Sequence, residues 1–319
     1  MNGLPVWSAG GAVLLALLVD RFFGEPRRWH PVVGMGRYLA WIGRRIAPVE
    51  RSEADGGPRD LRAFVAGAAA WLVGVSACAG LAWAVQSALS RMHPLLSVPA
   101  LGLLLKPMLA WRMLRDETAA VEAALEQSLE AGRARLSRLV SRDTSTLTAS
   151  EVRESAIESL AENFNDSVVA PLFWFVLLGL PGAAVYRFAN TADAMWGYRG
   201  SRNGRCWEWA GKFTAWADDV MSWMPARISA LLMLAGTPVG TWRALPAVAR
   251  LTPSPNGGWP MGAMALRLGV RLGKPGVYVL FAAGRVPCAD DTAAALRITG
   301  RIVFSLAGLA AFSVVLALT

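Results

Sequence analysis

The feature that most constrains this chain is an uncharged run of 28 residues from Ala63 to Ser90. A helix of about 20 apolar residues can cross the hydrocarbon core of a bilayer, so this run predicts a transmembrane helix. The composition agrees with that prediction, because 54% of the 319 residues are hydrophobic and only 17% are charged. Soluble domains carry about 25% charged residues. The sequence therefore predicts an all-α, polytopic integral membrane protein.

Several further segments are apolar enough to lie in the membrane. The firm segments are about 1–20, 63–90, 92–111 and 302–319, and we expect one membrane-embedded domain over residues 1–319. Segments 167–186 and 220–242 are apolar but broken, at Gly179–Gly182 and at Thr237–Pro238, where glycine and proline stop a helix. Broken helices at membrane depth are tolerated only where they line a protein-enclosed cavity. Each broken segment is therefore a full span or a re-entrant pair of half-helices.

The charges predict a topology. The net charge of +9 could suggest nucleic acid, but in an apolar chain excess arginine more often marks the cytoplasmic face. If the four firm segments cross and the broken ones return, nearly all basic residues fall on one side and Arg91 on the other. We therefore expect both termini outside and all polar chemistry at the cytoplasmic face of the membrane. Asn2 and His93 would face outside, whereas Glu53, Thr146 and Asn256 would face the cytoplasm.

The polar segments also carry folding signals, most of them in a predicted cytoplasmic helical region over residues 115–166. Apolar residues at 3–4 residue spacing predict one amphipathic helix from Asp116 to Val140. Thr148 followed by Glu151 predicts a capping box that opens a helix through Asn163. The stretch Glu50 to Pro58 is the expected flexible loop.

A row of acids follows that capping box. Glu154, Glu158 and Glu162 are spaced i, i+4, i+8 and share one helix face. Like charges stacked this way repel each other, so a bound metal, an arginine or solvent must compensate them. For Glu154 a solvated helix face is an equal alternative to a site. Glu162 and Asp166 abut an apolar segment, where an unpaired carboxylate is costly, so a site is the favoured interpretation for them.

Two more groups of polar residues border apolar segments. Asn190 and Asp193 share a helix face and are followed by Tyr198 and Arg199, so a structural Asp193–Arg199 ion pair is as plausible as a site. Adjacent Asp218 and Asp219 enter an apolar segment that also holds Arg227. Paired carboxylates suit Mg²⁺, which takes one or two of them together with substrate phosphates.

Two segments rich in glycine, proline or both remain. Asn256, Trp259, Arg267 and Arg271 lie in one of them, where the arginines at i, i+4 predict a phosphate or carboxylate clamp, with a basic interfacial helix as the alternative. His30 precedes Pro31, a position that favours a structural role. Three scattered cysteines exclude a disulfide scaffold. The sequence has no phosphate-binding GxxxxGK[ST] loop and no GxSxG motif.

The sequence resembles the membrane-bound CobD/CbiB cobalamin-biosynthesis family, the adenosylcobinamide-phosphate synthases. The motifs that carry the resemblance occur in the same order over nearly the whole chain. They are DRFFGEP with HPV (Asp20 to Val32), SRDTSTL (Ser141 to Leu147), AIESLAEN with VAPLF (Ala156 to Phe173), NTADAMWGYR (Asn190 to Arg199), DD with PAR (Asp218 to Arg227) and SPNGGWPMGAM (Ser254 to Met264). The tail after Lys274 fits the family pattern poorly.

The resemblance implies ATP-dependent amide formation, in which the free propionate of cobyric acid joins 1-aminopropan-2-ol or its phosphate. It implies ATP and Mg²⁺ as cofactors, a corrinoid substrate, the lipid bilayer and other corrinoid-pathway enzymes as partners, and no nucleic acid. The metal ligands expected from it are Glu162, Asp166, Asp193, Asp218 and Asp219. The catalytic residues expected from it are Asp218, Asp219, Arg227, Arg142 and Arg199. The substrate-binding residues expected from it are His30, Asn190, Tyr198, Asn256, Trp259 and Arg267.

Further expectations follow from the resemblance. A bulky corrinoid would lie against Trp174, Trp196, Trp216 and Trp259. Independently of the resemblance, helix length predicts that the break at Gly179 to Gly182 is a re-entrant tip that returns Asp166 beside Asn190 and Asp193, because two half-helices of about 10 residues each reach only ~15 Å, about half the hydrocarbon thickness. Asp218, Asp219, Glu162 and Asp166 would form one Mg²⁺–nucleotide pole, with Arg227 at the transferred phosphoryl group. No base for the attacking amine is identifiable.

Two other classes of protein remain open. AmpE-type regulators of β-lactamase induction share AEN and APLF-like stretches with this family, and these regulators are not enzymes. A transporter is the third option, because broken helices with buried carboxylates are a transporter feature. The joint presence of SRDTS, NTADAM, DD and SPN favours the synthase.

Overall fold

The computed structural model describes residues 5–25, 30–49 and 59–316. Within these residues the chain is helical almost throughout, and two small antiparallel hairpins are the only sheets. The helices are α1 (Val6–Phe23), α2 (Pro31–Ile46), α3 (Leu61–Leu89), α4 (Pro94–Leu105), α5 (Trp111–Gln127), α6 (Leu129–Leu136), α7 (Ala149–Phe164), α8 (Ala170–Trp196), α9 (Lys212–Leu234), α10 (Val239–Ala249), α11 (Gly258–Leu268) and α12 (Ala289–Leu316). The strands are β1 (Ser201–Arg202), β2 (Arg205–Cys206), β3 (Leu272–Lys274) and β4 (Tyr278–Leu280). The expected loop at Glu50 to Pro58, like Asn2, lies outside the described residues.

Among the described residues, five helical stretches are long and apolar enough to cross a membrane. They are Val6–Phe23, Leu61–Leu89, Pro94–Gln127, Ala149–Trp196 and Ala289–Leu316. The prediction of an all-α polytopic membrane protein is confirmed. Four stretches overlap the firm segments, and the fifth contains the broken segment 167–186. The expected break at Thr237–Pro238 is also confirmed, because α9 ends at Leu234 and α10 begins at Val239.

The described residues form two compact units, each assembled from three separate stretches. The first comprises Met1–Ala16, Pro26–Met108 and Pro171–Met221, and the second comprises Leu17–Glu25, Leu109–Ala170 and Ser222–Thr319. In the first unit, the buried Trp71 ring packs edge-on against Phe188 and Phe213, with ring centroids 6.2 and 5.3 Å away. Aromatic packing of this kind links α3 to α8 and α9. The single membrane-embedded domain over residues 1–319 stays a prediction.

The helical run of α8 is interrupted at Gly179, which has φ 68° and ψ −155°. The break frees the backbone amide of Leu180, and Gln86 of α3 accepts a hydrogen bond from it at 2.7 Å. A neighbouring side chain thus satisfies a backbone group that lipid could not. The predicted end of a helix after Leu178 is confirmed. The re-entrant return of Asp166 to Asn190 and Asp193 stays a prediction.

We expect Gly179→Ala to destabilise the protein strongly. Its φ is positive, and an added Cβ would clash with Gln86 Oε1. A non-glycine residue in such backbone costs about 1–3 kcal/mol. Thermal unfolding of the detergent-solubilised protein should show a lower Tm, whereas Gly80→Ala on α3, with open space around its Cβ position, should leave the Tm unchanged. Equal Tm values for the two variants would contradict this prediction.

In the second unit, α7 lies at the centre and packs against α5, α6, α11, α12 and β3. The buried core under α5–α7 consists of Val121, Leu136, Leu147, Val152 and Ala156. The predicted single helix from Asp116 to Val140 is wrong, because Ser128 is extended (φ −166°, ψ 158°) and caps a second helix. The capping box is confirmed, since the Thr148 amide donates to Glu151 Oε2 at 2.7 Å and the Glu151 amide donates to Thr148 Oγ1 at 3.4 Å.

Candidate functional site

Two of the three acids in the row on α7, Glu154 and Glu158, are compensated by arginines from elsewhere in the second unit. Glu154 and Glu158 are each only 4% exposed. Arg271 Nε lies 3.2 Å from Glu154 Oε1, and Arg142 Nη2 lies 3.4 Å from Glu158 Oε2. The solvated-face alternative for Glu154 is therefore wrong. Arginine pairing was one of the compensations that the spacing left open.

A cavity of about 180 Å³ opens beside Arg142 and Glu158. It is lined mostly by polar side chains of α7, of the SRDTSTL segment and of the β3–β4 hairpin. Its lining residues are Leu139, Val140, Ser141, Arg142, Ser155, Glu158, Ser159, Glu162, Asn163, Met261, Lys274 and Tyr278. Two predicted site residues, Arg142 and Glu162, meet here.

Two residues that line this cavity carry three polar side-chain atoms that are buried without a hydrogen-bond partner among the described residues. They are Nε and Nη1 of Arg142 and Oε1 of Glu158. Leaving a buried donor or acceptor unpaired costs about 1–3 kcal/mol, and more for charged groups. A ligand that offers an anionic acceptor to Arg142 and a cation or donor to Glu158 would remove that penalty.

The β3–β4 hairpin supplies two further polar groups, because Lys274 pairs with Tyr278 across it. Burial raises the pKa of Tyr278, and the nearby carboxylates of Glu158 and Glu162 raise it further. The phenol therefore stays protonated at neutral pH and remains a hydrogen-bond donor. Lys274 and Tyr278 also line a second cavity of about 400 Å³, together with Glu154 and Arg271.

Sequence reasoning assigned no site role to Glu158, Lys274 or Tyr278. The acidic spacing did place Glu158 on the correct helix face. A usable signal for the hairpin was Lys274-Pro-Gly-Val-Tyr278, in which a Pro-Gly turn separates two short apolar stretches. That turn lies in the part of the chain that fits the family motifs poorly.

The SPNGG segment reaches the cavity through Glu162. A Cβ on Gly257 would lie 2.8 Å from Glu162 Oε1, so glycine permits this close approach. The loop is shaped by Ser254, whose Oγ accepts hydrogen bonds from the amides of Asn256 and Gly257 at 3.2 and 3.0 Å. Glu162 itself is exposed and lines the cavity.

Arg227 joins two other predicted residues of the same unit. Its Nη1 donates to Asn256 Oδ1 at 2.9 Å, and its guanidinium lies 4.6 Å from the centre of the Trp259 ring. Trp223 stacks on it as well, at 4.3 Å. The three predicted residues Arg227, Asn256 and Trp259 thus form one cluster. None of them lines the cavity of Arg142 and Glu158.

The predicted Arg267 and Arg271 clamp is wrong. Helix α11 ends at Leu268, and Gly269 caps it in the left-handed conformation (φ 68°, ψ 29°). Arg271 therefore lies beyond the helix and pairs with Glu154. Arg267 instead donates to the Ala235 carbonyl at 2.7 Å, so the two guanidinium groups have different partners.

Asp166 is the other predicted metal ligand of the second unit, and it lies in a π-helical turn, Asn165–Val169, between α7 and α8. Asp166 is half-buried and accepts a hydrogen bond from Asn165 Nδ2 at 2.9 Å. Asn165 is fixed in turn by Ser229, whose Oγ donates to Asn165 Oδ1 at 2.9 Å. Asp166 is thus held by its neighbour at a π turn, a feature that occurs often at functional sites.

The other predicted residues lie in the first unit. Asn190 and Asp193 are half-buried on α8, as Asp218 and Asp219 are on α9. Burial raises the pKa of Asp219, and the positive charge of Arg199 opposes that rise. The remaining two are engaged locally. The Tyr198 hydroxyl donates to the Ala194 carbonyl at 2.8 Å, and His30 Nδ1 accepts from the Val32 amide at 3.3 Å, capping α2.

One of the tryptophans expected at a corrinoid-binding mouth is unavailable. Trp196 is 1% exposed, stacks on Trp207 at 6.0 Å and donates to the Leu39 carbonyl. Its role is packing, so the expectation is wrong for this residue. Trp216 in the same unit is 53% exposed.

The cavity residues fit a Mg²⁺ ion that is held by two protein carboxylates together with substrate phosphates and water. Within the described residues, no three His, Cys, Asp or Glu side chains form a group that could hold a metal ion. Mg²⁺ is usually held by one or two carboxylates plus substrate phosphates and water. Glu158 and Glu162, which both line the cavity, provide that number of carboxylates. The larger predicted ligand set, Glu162, Asp166, Asp193, Asp218 and Asp219, stays a prediction.

Fold and cavity together define a polytopic membrane protein with a polar, arginine- and carboxylate-lined cavity in its second unit. Residues 13–300 match the family model described as CobD/Cbib protein. The chain belongs to the CobD/CbiB family of cobalamin biosynthesis proteins.

Curated relatives agree with that assignment. The chain is 38% identical over 280 residues to a probable cobalamin biosynthesis protein CobD of Methanothermobacter thermautotrophicus, covering 84% of this chain and 85% of the relative. It is 38% identical over 296 residues to the cobalamin biosynthesis protein CobD of Chromobacterium violaceum, covering 90% and 91%. A probable CobD of Thermococcus kodakarensis is 39% identical over 292 residues, covering 91% and 90%. No solved structure matches the chain.

Proposed function

We propose that this chain is an amide-forming ligase. It would join the free propionate of cobyric acid, with or without its adenosyl ligand, to the amine of 1-aminopropan-2-ol or its phosphate. The observation that carries this proposal is the cavity lined by Glu158 and by Arg142, whose buried Nε and Nη1 have no hydrogen-bond partner among the described residues. Family membership narrows the substrate to one found in cobalamin biosynthesis.

The cavity residues suit the charges of this reaction. ATP with Mg²⁺ would supply the phosphoryl group that makes the propionate reactive. Arg142 can donate two hydrogen bonds to anionic oxygens, and preorganised donors of this kind stabilise developing charge. Tyr278 adds a neutral donor. When the C–N bond forms, the bond between the acyl carbon and the phosphate oxygen breaks and phosphate leaves. The amine gives up a proton in the same reaction, and the Glu158 carboxylate in the cavity would accept it.

The size of the cavity limits what enters it. Its volume of about 180 Å³ is below the ~300–1,000 Å³ of pockets for drug-sized ligands. It can admit a phosphoryl group or the amino alcohol, but not a corrin ring. The adjoining cavity of about 400 Å³ shares Lys274 and Tyr278 with it, and we propose that the propionate arm enters there while the ring stays outside.

Turnover by the purified full chain tests the proposal. The protein in lipid nanodiscs would be given cobyric acid, ATP, Mg²⁺ and either 1-aminopropan-2-ol or its phosphate ester. We expect an amide product by mass spectrometry with one amine or both, together with stoichiometric nucleotide cleavage. Failure of a folded protein to form amide from either amine would overturn it and leave a non-enzymatic role. A transporter would instead move corrinoid across vesicles without nucleotide cleavage.

The proposed site faces the cytoplasm of the bacterial inner membrane, on the charge asymmetry described above. Single cysteines at His93 and Thr146, both exposed, can be labelled in intact cells with a membrane-impermeant maleimide after the native cysteines are removed. We expect labelling at His93 and none at Thr146. The reverse pattern would contradict the topology. Asn256 is 5% exposed and would therefore be a poor reporter.

A further inference from the structure

A third cleft, which shares no lining residue with the two cavities described above, lies between α1, α5 and α12. It has a volume of about 350 Å³ and an apolar floor that includes Trp111 and Gly300. Four arginines line it, Arg21, Arg115, Arg297 and Arg301, and no Asp or Glu among the described residues does. All the lining residues belong to the second unit.

Three of these arginines are uncompensated. Arg115 pairs with the exposed Asp116 at 2.6 Å. Arg21, Arg297 and Arg301 form no ion pair with any residue that the structure describes, and all three are exposed. Arg297 and Arg301 are also i, i+4 neighbours on one helix, an arrangement that is destabilising for like charges. An anion at the cleft would relieve this repulsion.

Two of these arginines lie at the ends of the uncharged stretches of α1 and α12. Arg21 lies in the last turn of α1, after an uncharged stretch that ends at Val19, and Arg301 immediately precedes the uncharged end of α12. Both helices are long and apolar enough to cross a membrane. The cleft thus joins an apolar floor to a basic rim at the end of two spans, the arrangement by which membrane proteins bind acidic lipid head groups.

We propose that this cleft binds one anionic phospholipid, with the phosphate at Arg297, Arg301 and Arg21 and an acyl chain on the apolar floor. The apolar floor is the reason to choose a lipid over a free phosphate ion, since an inorganic anion would gain nothing from Trp111 and Gly300. The floor is open at Gly300, where the nearest atom to an added Cβ would be Trp111 Cζ2 at 3.8 Å. The proposal does not depend on the ligase activity.

Native mass spectrometry of the detergent-solubilised full chain tests this. Phosphatidylglycerol, phosphatidylcholine with the same acyl chains, and inorganic phosphate would be titrated separately. We expect phosphatidylglycerol to bind more tightly than phosphatidylcholine, and Arg297→Gln/Arg301→Gln to weaken its binding about thirtyfold. That factor is ~2 kcal/mol at about 1 kcal/mol per surface arginine. Arg138→Gln/Arg250→Gln removes the same charge from exposed positions outside the cleft and should leave binding unchanged.

A steric variant keeps the test decisive if the double arginine variant fails to fold. Gly300→Leu leaves all four arginines in place but fills the floor, so it should reduce phosphatidylglycerol binding, whereas Gly300→Ala should not. Equal affinity for the two phospholipids would overturn the proposal. So would displacement of phosphatidylglycerol by millimolar inorganic phosphate, or unchanged binding in both Arg297→Gln/Arg301→Gln and Gly300→Leu.

Discussion

Arg142→Gln is expected to lower amide-forming turnover by about 10²-fold or more, the scale of losing one preorganised charge-stabilising donor. Arg142 is the only guanidinium among the described residues that line the cavity of Arg142 and Glu158, and two of its nitrogens have no hydrogen-bond partner among the described residues. Steady-state kinetics with saturating amine would measure the loss in kcat. Arg142→Lys should restore little, because an ammonium lacks the planar set of donors.

The same substitution has a structural effect that must be separated from the catalytic one. It leaves the buried Glu158 carboxylate without its arginine, and breaking a buried pair costs ~3–5 kcal/mol. The double variant Arg142→Gln/Glu158→Gln removes both charges and should regain much of the lost Tm while remaining inactive. A folded Arg142→Gln protein with near-normal turnover would contradict the assignment of Arg142 to the site.

Asp219→Asn is the second substitution from which we expect a loss of about 10²-fold, if Asp219 holds metal or nucleotide. Burial raises the pKa of Asp219 in spite of Arg199. Because folding raises this pKa, the folded state binds the proton more tightly than the unfolded state does. The free energy of unfolding therefore falls as the pH rises above 3.8, the ordinary pKa of an Asp carboxyl. At neutral pH, removing this charge should therefore leave the Tm unchanged or raise it.

A purely structural Asp219 predicts the opposite result. If Asp219 only holds its helix to Arg199, Asp219→Asn should lower the Tm or cause degradation in the cell. Thermal unfolding and turnover measured on one preparation distinguish the two roles. Asp290→Asn on the exposed start of α12 is the matched control and should alter neither quantity. Near-normal turnover in a well-folded Asp219→Asn protein would rule out the metal role.

Local signals predicted much of the fold. The apolar runs, the Thr148 capping box and the break after Leu178 depend on neighbouring residues, and each is present in the structure. The interruption at Ser128 was not predicted, because the apolar spacing continues across it. Leu125 and Leu129 lie on opposite sides of the turn yet pack on the same core. A single apolar spacing of 3–4 residues therefore runs through two separate helices.

The site was predicted less completely, and the reason is distance along the chain. The helix face of Glu154 and Glu158 followed from a four-residue spacing. Their partners do not, because Arg142 is 16 residues from Glu158 and Arg271 is 117 residues from Glu154. Gly269, a left-handed cap, did carry a signal that separates Arg267 from Arg271, since glycine commonly ends helices this way.

The long connection from Glu154 to Arg271 also has a consequence for synthesis on the ribosome. Translation proceeds at about 5–20 residues per second, so the 117 residues that follow Glu154 up to and including Arg271 take on the order of ten seconds to make. During that interval Glu154 has left the ribosome before its arginine exists, and the hairpin with Lys274 and Tyr278 has not been made. Nascent chains that stall before Arg271 will therefore expose the Glu154 carboxylate without its arginine partner to chaperones and proteases.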